Sequence, residues 1–77
     1  MIKYRPKKIK ILIAMAEKGF NQKSLSEAAG LNQSTLSNFL NGRYGISTRS
    51  AKKIADTLDR ELGDLFEIEI RELAVRN

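Results

Sequence analysis

The chain has 77 residues, of which 42% are hydrophobic, so it can build one small core and one domain. It contains no cysteine and no histidine, which excludes disulfides and leaves no ligand set for zinc and no Cys–His or Ser–His pair for catalysis. We therefore expect a compact helical fold with no metal, no cofactor and no enzymatic activity. The lack of cysteine also fits the reducing cytoplasm.

The net charge of +5 is unevenly distributed along the chain. Residues 1–23 carry seven Lys or Arg and one acid, whereas residues 59–77 carry three Arg and six acids. The basic first part suits a polyanionic partner, and the acidic last part must then face away from it. The alternative interpretation is an uneven surface that meets only water.

A short apolar run follows the basic first ten residues. It spans residues 11–16, whereas a signal-peptide core needs roughly 7–15 apolar residues and a membrane span about 20. We therefore expect no targeting segment and no membrane insertion here, and we interpret the run as part of a soluble helix.

This first helix is predicted over residues 6–18. Pro6 suits a first helical turn, and Gly19 can take the left-handed conformation that ends a helix. The spacing i, i+3, i+4, i+7 predicts one core-facing stripe. That stripe comprises Ile9, Leu12, Ile13 and Ala16.

Two shorter helices are predicted next, over residues 22–29 and 33–40. Asn21 and Asn32 are suitable N-caps, and Gly30 separates the helices. The residues predicted to face the core are Leu25, Ala28 and Ala29 in the second helix and Leu36, Phe39 and Leu40 in the third. Two short helices joined by a tight Gly-containing turn form a helix-turn-helix pattern.

The fourth helix is predicted to begin at Ser47 or Thr48, and a short fifth helix is predicted over residues 61–66. Periodicity places Ala51, Ile54, Ala55 and Leu58 inward in the fourth and Leu62, Leu65 and Phe66 inward in the fifth.

The tail after the fifth helix has two interpretations. Residues 66–70 alternate between apolar side chains and glutamate, which favours a strand, although Phe66, Ile70 and Leu73 also satisfy helical spacing. The predicted fold class is therefore all-α, with a five-helix domain over residues 1–66 and a tail over residues 67–77 that is a strand or a helix.

The third helix has a polar face that carries no charge. It contains Gln33, Ser34, Ser37, Asn38 and Asn41. A face that merely meets water usually contains Lys and Glu, which are better helix formers. The amides of Gln and Asn match the major-groove edge of adenine, and Ser can bond to any base. The flanking cations would lie near phosphates; they are Lys23, Arg43, Arg49, Lys52 and Lys53.

Residues 22–42 resemble the helix-turn-helix of the lambda-repressor/Cro-like (Xre-type) DNA-binding domains. The matching positions are Gln22, Leu25, Ser26, Gly30, Leu31, Leu36, Phe39, Asn41 and Gly42. With the two following helices, the resemblance covers residues 6–66 and implies a five-helix lambda-repressor-like domain. The family usually has Ala where this chain has Ser26, and we expect the Ser26 hydroxyl to bond to the carbonyl of Gln22.

The resemblance also implies roles for individual residues. Base contacts are expected from Gln33, Ser34 and Asn38, with Ser37 as a fourth. Phosphate contacts are expected from Gln22, Lys23, Asn41, Arg43 and Tyr44, with a helix dipole assisting Gln22. A basic arm is expected from Lys3, Arg5, Lys7 and Lys8. For Tyr44, packing over the loop is the equal alternative.

These expectations converge on a transcriptional regulator of phage or prophage type. We expect it to bind a double-stranded DNA operator as a homodimer in the bacterial cytoplasm, at the nucleoid, and to repress transcription. The predicted dimer surface is the tail, through Phe66, Ile68, Ile70 and Leu73. Two alternatives remain open: an antitoxin whose tail binds a toxin protein, and a protein-interaction module that does not bind nucleic acid.

Overall fold

A computed structural model describes residues 1–71. In chain order, the elements of this part are β1 (Ile2–Pro6), α1 (Lys8–Lys18), α2 (Gln22–Ala28), α3 (Gln33–Leu40), α4 (Thr48–Leu58), α5 (Leu62–Leu65) and β2 (Phe66–Ile70). The five predicted helices are present. The all-α prediction needs one correction, because the first strand and the last strand form a small sheet.

The two strands pair antiparallel, with Ile2 opposite Ile70 and Pro6 opposite Phe66. The predicted strand of the tail is therefore confirmed as β2 within the described residues. The strand β1 was not predicted, and as a result the first helix begins at Lys8 rather than at Pro6. Prediction from local periodicity missed β1 because its partner lies more than sixty residues later in the chain.

Helix α1 is rotated relative to the prediction. Its buried residues are Ile11, Ala14 and Met15. The predicted stripe lies on the outer side, where Ile9 is 68% exposed, Ile13 52% and Leu12 38%. The prediction was wrong because α1 has two apolar faces, and the buried set also satisfies i, i+3, i+4 spacing.

A hydrogen-bonded cap and a left-handed glycine fix the ends of α2. The Asn21 Oδ1 accepts from the Ser24 backbone N–H at 2.8 Å, and the Ser24 Oγ accepts from the Asn21 N–H at 2.9 Å. Gly30, with φ +72°, then turns the chain so that the Leu31 N–H donates to the Ser26 carbonyl at 2.7 Å. Helix α3 follows with the predicted bounds.

Two predictions about α2 were wrong. Ala28 is exposed, and Ser26 takes the buried position instead. The Ser26 hydroxyl donates to the carbonyl of Lys23 at 2.7 Å rather than to that of Gln22. This bond satisfies the one polar side chain of the described core, so a small serine is tolerated where the helices approach.

Helix α4 agrees with the prediction. Ser47 is its N-cap and accepts from the Ser50 N–H at 3.2 Å, while Asp59 in the left-handed conformation ends the helix. The predicted inward residues are all buried; they are Ala51, Ile54, Ala55 and Leu58. In α5, Leu65 is buried and Leu62 is half-buried.

An aromatic cluster joins the sheet to α3. The Phe66 ring lies 5.8 Å from the Tyr4 ring in an edge-to-face arrangement and 5.6 Å from the Phe39 ring, measured between centroids. The Tyr4 hydroxyl donates to Thr48 Oγ1 at 3.0 Å. Phe66 is therefore a core residue with 1% exposure, and its predicted place on a dimer surface was wrong.

The aromatic cluster predicts the effect of truncating Phe39. We expect Phe39→Ala to lower the free energy of unfolding by ~3–5 kcal/mol, because it leaves a cavity between α3 and β2. Tyr44→Ala is the matched control, since Tyr44 is 68% exposed and should change stability by less than about 0.5 kcal/mol. Urea unfolding followed by circular dichroism measures both; equal effects would contradict the core assignment.

The turn between α2 and α3 yields a second prediction. Gly30→Ala should cost about 1–2 kcal/mol, because an alanine Cβ disfavours positive φ. The cost should come from backbone strain alone, since the nearest atom to such a Cβ is the mobile Lys53 Nζ at 3.5 Å. Gly63→Ala is the control: Gly63 lies in α5 without positive φ or nearby atoms, so its replacement should be neutral or stabilising. Thermal melts of the two variants compare them directly.

Candidate nucleic-acid interface

Helix α3 presents two opposite faces. Leu36, Phe39 and Leu40 are buried, whereas Gln33 and Ser34 are exposed. Ser37 and Asn38 are half-buried. At a rise of about 1.5 Å per residue, the polar face extends for about 12 Å from Gln33 to Asn41, which is comparable to the width of the major groove.

Apart from Asn41 at its end, the polar side chains on this face make no hydrogen bonds with other residues of the described part of the chain. Within residues 1–71, the side chains of Asn32, Gln33, Ser34, Thr35, Ser37 and Asn38 have no partner in the protein. Every other Asn, Gln, Ser and Thr side chain in this part of the chain is hydrogen-bonded, except that of Gln22. The bonded set is Asn21, Ser24, Ser26, Asn41, Ser47, Thr48, Ser50 and Thr57.

The two sets of polar side chains therefore differ in role: one set stabilises the fold through internal hydrogen bonds, and the other has no such bond among the described residues. Caps and turns use serine and asparagine hydroxyls and amides to satisfy the backbone. The α3 face does none of this, so its donors and acceptors remain available for a ligand. The sequence had indicated the composition of this face but not the absence of internal bonds. Thr35, which was not predicted as a contact, is exposed on the same helix.

A groove of about 550 Å³ lies between β1 and the loop after α3. Its lining includes four cations, Lys3, Arg5, Lys8 and Arg43, and no acid. We call it the basic groove. The Lys8 ammonium donates to Asn41 Oδ1 at 3.3 Å, which joins the start of α1 to the end of the α3 polar face.

The structure divides the predicted basic arm. Lys3 and Arg5 belong to β1 and Lys8 to α1, so these residues form ordered elements rather than a free arm. Lys7 does not line the basic groove; its ammonium donates to the carbonyl of Gly63 at 2.7 Å. Asn41, Arg43 and Tyr44, predicted as phosphate contacts, line the groove beside Lys3, Arg5 and Lys8.

Ion pairs neutralise cations mainly outside this region. Within residues 1–71, acids pair with Lys18, Lys52, Arg60 and Arg71, and Arg5 lies 3.8 Å from Glu69. Three of the cations without an acidic partner in this part of the chain, Lys3, Lys8 and Arg43, line the basic groove. The others are Lys7, Lys10, Lys23, Arg49 and Lys53. Exposed ion pairs add little stability, but their placement leaves three of the four cations of the basic groove without an acidic partner within residues 1–71.

Lys52 and Lys53, predicted together, differ in their surroundings. The Lys52 ammonium lies 2.9 Å from the Asp56 carboxylate, whose hydrogen bond and negative charge raise the pKa of Lys52. The Lys53 ammonium instead lies beside Gly30, at the turn between α2 and α3. Lys53 is therefore the member of the pair placed near the helix-turn-helix.

The remaining predicted residues are accessible. Gln22 is the half-buried first residue of α2, and Lys23 beside it is exposed. Tyr44 is exposed at the mouth of the basic groove. Between Met1 and Arg71, no group of three His, Cys, Asp or Glu side chains could hold a metal ion, and no helix of that stretch is long and apolar enough to cross a membrane.

Comparison with known proteins gives structural matches and a family match. The crystal structure of the transcriptional regulator VanUg superposes with a TM-score of 0.65 at 20% sequence identity, covering 91% of this chain and 89% of that one. At this identity the likeness shows the fold. No curated protein matches the chain in sequence.

The family match covers most of the chain. The sequence profile of Cro/C1-type helix-turn-helix DNA-binding domains matches residues 10–70, which include α2, α3 and the turn between them. This agrees with the resemblance that residues 22–42 indicated. The chain belongs to the family of Cro/C1-type helix-turn-helix DNA-binding domains.

Proposed function

We propose that the chain is a sequence-specific transcriptional regulator that reads duplex DNA with α3. Gln33, Ser34 and Asn38 contact base edges in the major groove, and Ser37 is the fourth contact. Amides of Gln and Asn can bond to adenine through a paired donor and acceptor, and hydroxyls can serve either role. The observation that carries this proposal is the set of polar side chains on α3 that have no hydrogen-bond partner among residues 1–71, where every other Asn, Gln, Ser and Thr side chain except those of Gln22 and Asn32 is bonded.

The phosphate contacts are proposed on both sides of that helix. Arg43, Asn41 and Tyr44 follow α3 directly, and Lys3, Arg5 and Lys8 face them across the basic groove. Gln22 and Lys23 at the start of α2 provide contacts on the other side. Such contacts fix the register of the protein on DNA and supply most of the affinity without reading sequence.

We further propose that the chain is a repressor of phage or prophage type that acts as a homodimer. One recognition helix reads few base pairs, so specificity requires two copies whose helices lie about 34 Å apart along the major groove. A dimer on an operator would repress by obstructing polymerase. Because operator binding and repression take place on DNA, we propose that the protein is located in the bacterial cytoplasm, at the nucleoid.

The proposed dimer surface is the exposed end of the β1–β2 sheet. Ile2, Ile68 and Ile70 lie on the same face as the buried Tyr4 and Phe66, because alternate residues of a strand share a face. Beyond the core, no other residue of the described range 1–71 covers this face, and Ile70 is 71% exposed. Leu73, which was predicted to join them, lies outside the described residues.

Base reading and phosphate binding predict different mutant behaviour. Gln33→Ala should weaken binding to the cognate site by ~1–3 kcal/mol and relax the preference at one base position. Arg43→Ala should weaken binding to all duplexes about equally and flatten the dependence of affinity on salt. Fluorescence anisotropy with cognate and scrambled duplexes, at several salt concentrations, separates these effects.

Two results would contradict these assignments. If Gln33→Ala lowered affinity uniformly, as Arg43→Ala should, α3 would not be the reading element. If binding of the unmodified protein were indifferent to salt, the chain would fit a protein-interaction module better than a DNA-binding regulator. Lys52→Ala is the matched control for Arg43→Ala, because Lys52 is already paired with Asp56 and its loss should leave DNA affinity nearly unchanged.

The dimer surface predicts the effect of polar residues at the end of β2. Replacing Ile68 and Ile70 together by Thr retains β propensity but removes the apolar surface. We expect the mass in solution to fall to that of a monomer. We also expect a larger loss of affinity for an operator with two half-sites than for a duplex with a single half-site. Glu67→Thr, on the opposite face of the same strand, is the control. An unchanged mass would show that the sheet is not the dimer contact.

A further inference from the structure

The outer face of α1 is apolar and uncovered by the described chain. It comprises Ile9, Leu12, Ile13 and Ala16, which we call the outer stripe. Ile9, in the first turn of α1, is as exposed as the loop residue Tyr44. Three large aliphatic side chains aligned in this way on one helix are typical of an interaction surface.

We propose that the outer stripe packs against the same stripe of a second copy of this chain, with the two α1 helices antiparallel. The spacing of the four residues is the same when read in either direction along the helix. A two-fold axis that passes between positions 12 and 13 therefore places Ile9 of each copy over Ala16 of the other. The large side chain meets the small one, so the helices can approach closely.

Charges at one edge of the outer stripe favour the antiparallel direction. Lys10 and Glu17 are seven residues apart and, at 100° per residue, lie only about 20° apart around the helix. The antiparallel pairing brings Lys10 of each copy to within about 3 Å, along the axis, of Glu17 of the other. A parallel two-fold pairing would place the two Lys10–Glu17 edges on opposite sides of the contact, so Lys10 of one copy would not face Glu17 of the other.

Side chains of the last part of the domain extend this self-complementary edge. Arg60 bonds to Glu17 within one chain. Lys10, Arg60 and Asp64 border a shallow cleft that also contains Ile13 and Leu65. The edge thus carries two cations, Lys10 and Arg60, and two anions, Glu17 and Asp64. Two copies related by a two-fold axis can therefore place a cation of one copy opposite an anion of the other.

This contact is separate from the sheet surface and from the α3 interface, so it does not rest on the proposed function. Its residues lie on neither β2 nor α3. A four-residue stripe is small compared with standard interfaces, so we expect weak association that depends on concentration.

Disulfide trapping tests the contact in the full chain. The protein has no cysteine, so Ile9→Cys and Ala16→Cys each introduce a single exposed thiol without disturbing the core. A mixture of the two variants should form a linked dimer at least about tenfold faster than a mixture of Tyr44→Cys with Ala16→Cys. Ile9→Cys alone should not link, since its two thiols would lie about 10 Å apart along the axis.

A second substitution distinguishes packing from random collision. Ile13→Glu, added to both cysteine variants, should abolish the enhanced linking while the circular dichroism spectrum and the melting temperature stay unchanged. If the mixed pair linked no faster than the Tyr44→Cys control, the proposal would be overturned. Rapid linking of Ile9→Cys with itself would also overturn it, because that result requires parallel helices. Both outcomes are measured without DNA and leave the proposed function untouched.

Discussion

The packing of Phe39 against Phe66 is the contact on which the rest of the structure depends. The two rings join the last turn of α3 to the start of β2, and Tyr4 extends the cluster into β1. Because Phe39 faces the core, the opposite face of α3 must point away from it, and that face contains amides and hydroxyls. The chain ends, paired as a sheet, therefore help to hold the orientation of the proposed reading helix.

The same constraint organises the surface chemistry. The polar side chains that cap α2 and α4 are bonded within the protein, whereas those of α3 and of its N-cap Asn32 have no partner among residues 1–71. Lys18, Lys52, Arg60 and Arg71 have acidic partners within residues 1–71, whereas Lys3, Lys8 and Arg43 line the basic groove without one. The unbonded polar side chains of α3 and the unpaired cations of the basic groove thus lie on neighbouring parts of the surface. In this way a chain with a net charge of only +5 presents a groove lined by four cations and, among the described residues, by no acid.

Local sequence signals predicted the helices whose ends are capped and whose burial is one-sided. The bounds of α3 and the inward residues of α4 follow from Asn32, Ser47 and regular apolar spacing. The orientation of α1 could not be predicted, because residues on both of its sides satisfy helical periodicity and only tertiary packing chooses between them. The strand β1 was missed although Ile2 and Tyr4 alternate with Lys3 and Arg5, since a two-residue alternation becomes a strand only when β2 pairs with it. The basic groove is lined partly by residues of β1. It therefore also depends on that pairing and could not be predicted from local sequence.

The central claim is that the uncharged polar face of α3 reads bases, and selection of bound sequences from random duplexes tests it most directly. The selection is repeated at low and at higher ionic strength. The account predicts one short motif, repeated in two half-sites about 34 Å apart, with the same bases enriched at both ionic strengths although total recovery falls as salt rises. Recovery of duplexes without any preferred sequence, or no recovery even at low ionic strength, would contradict it.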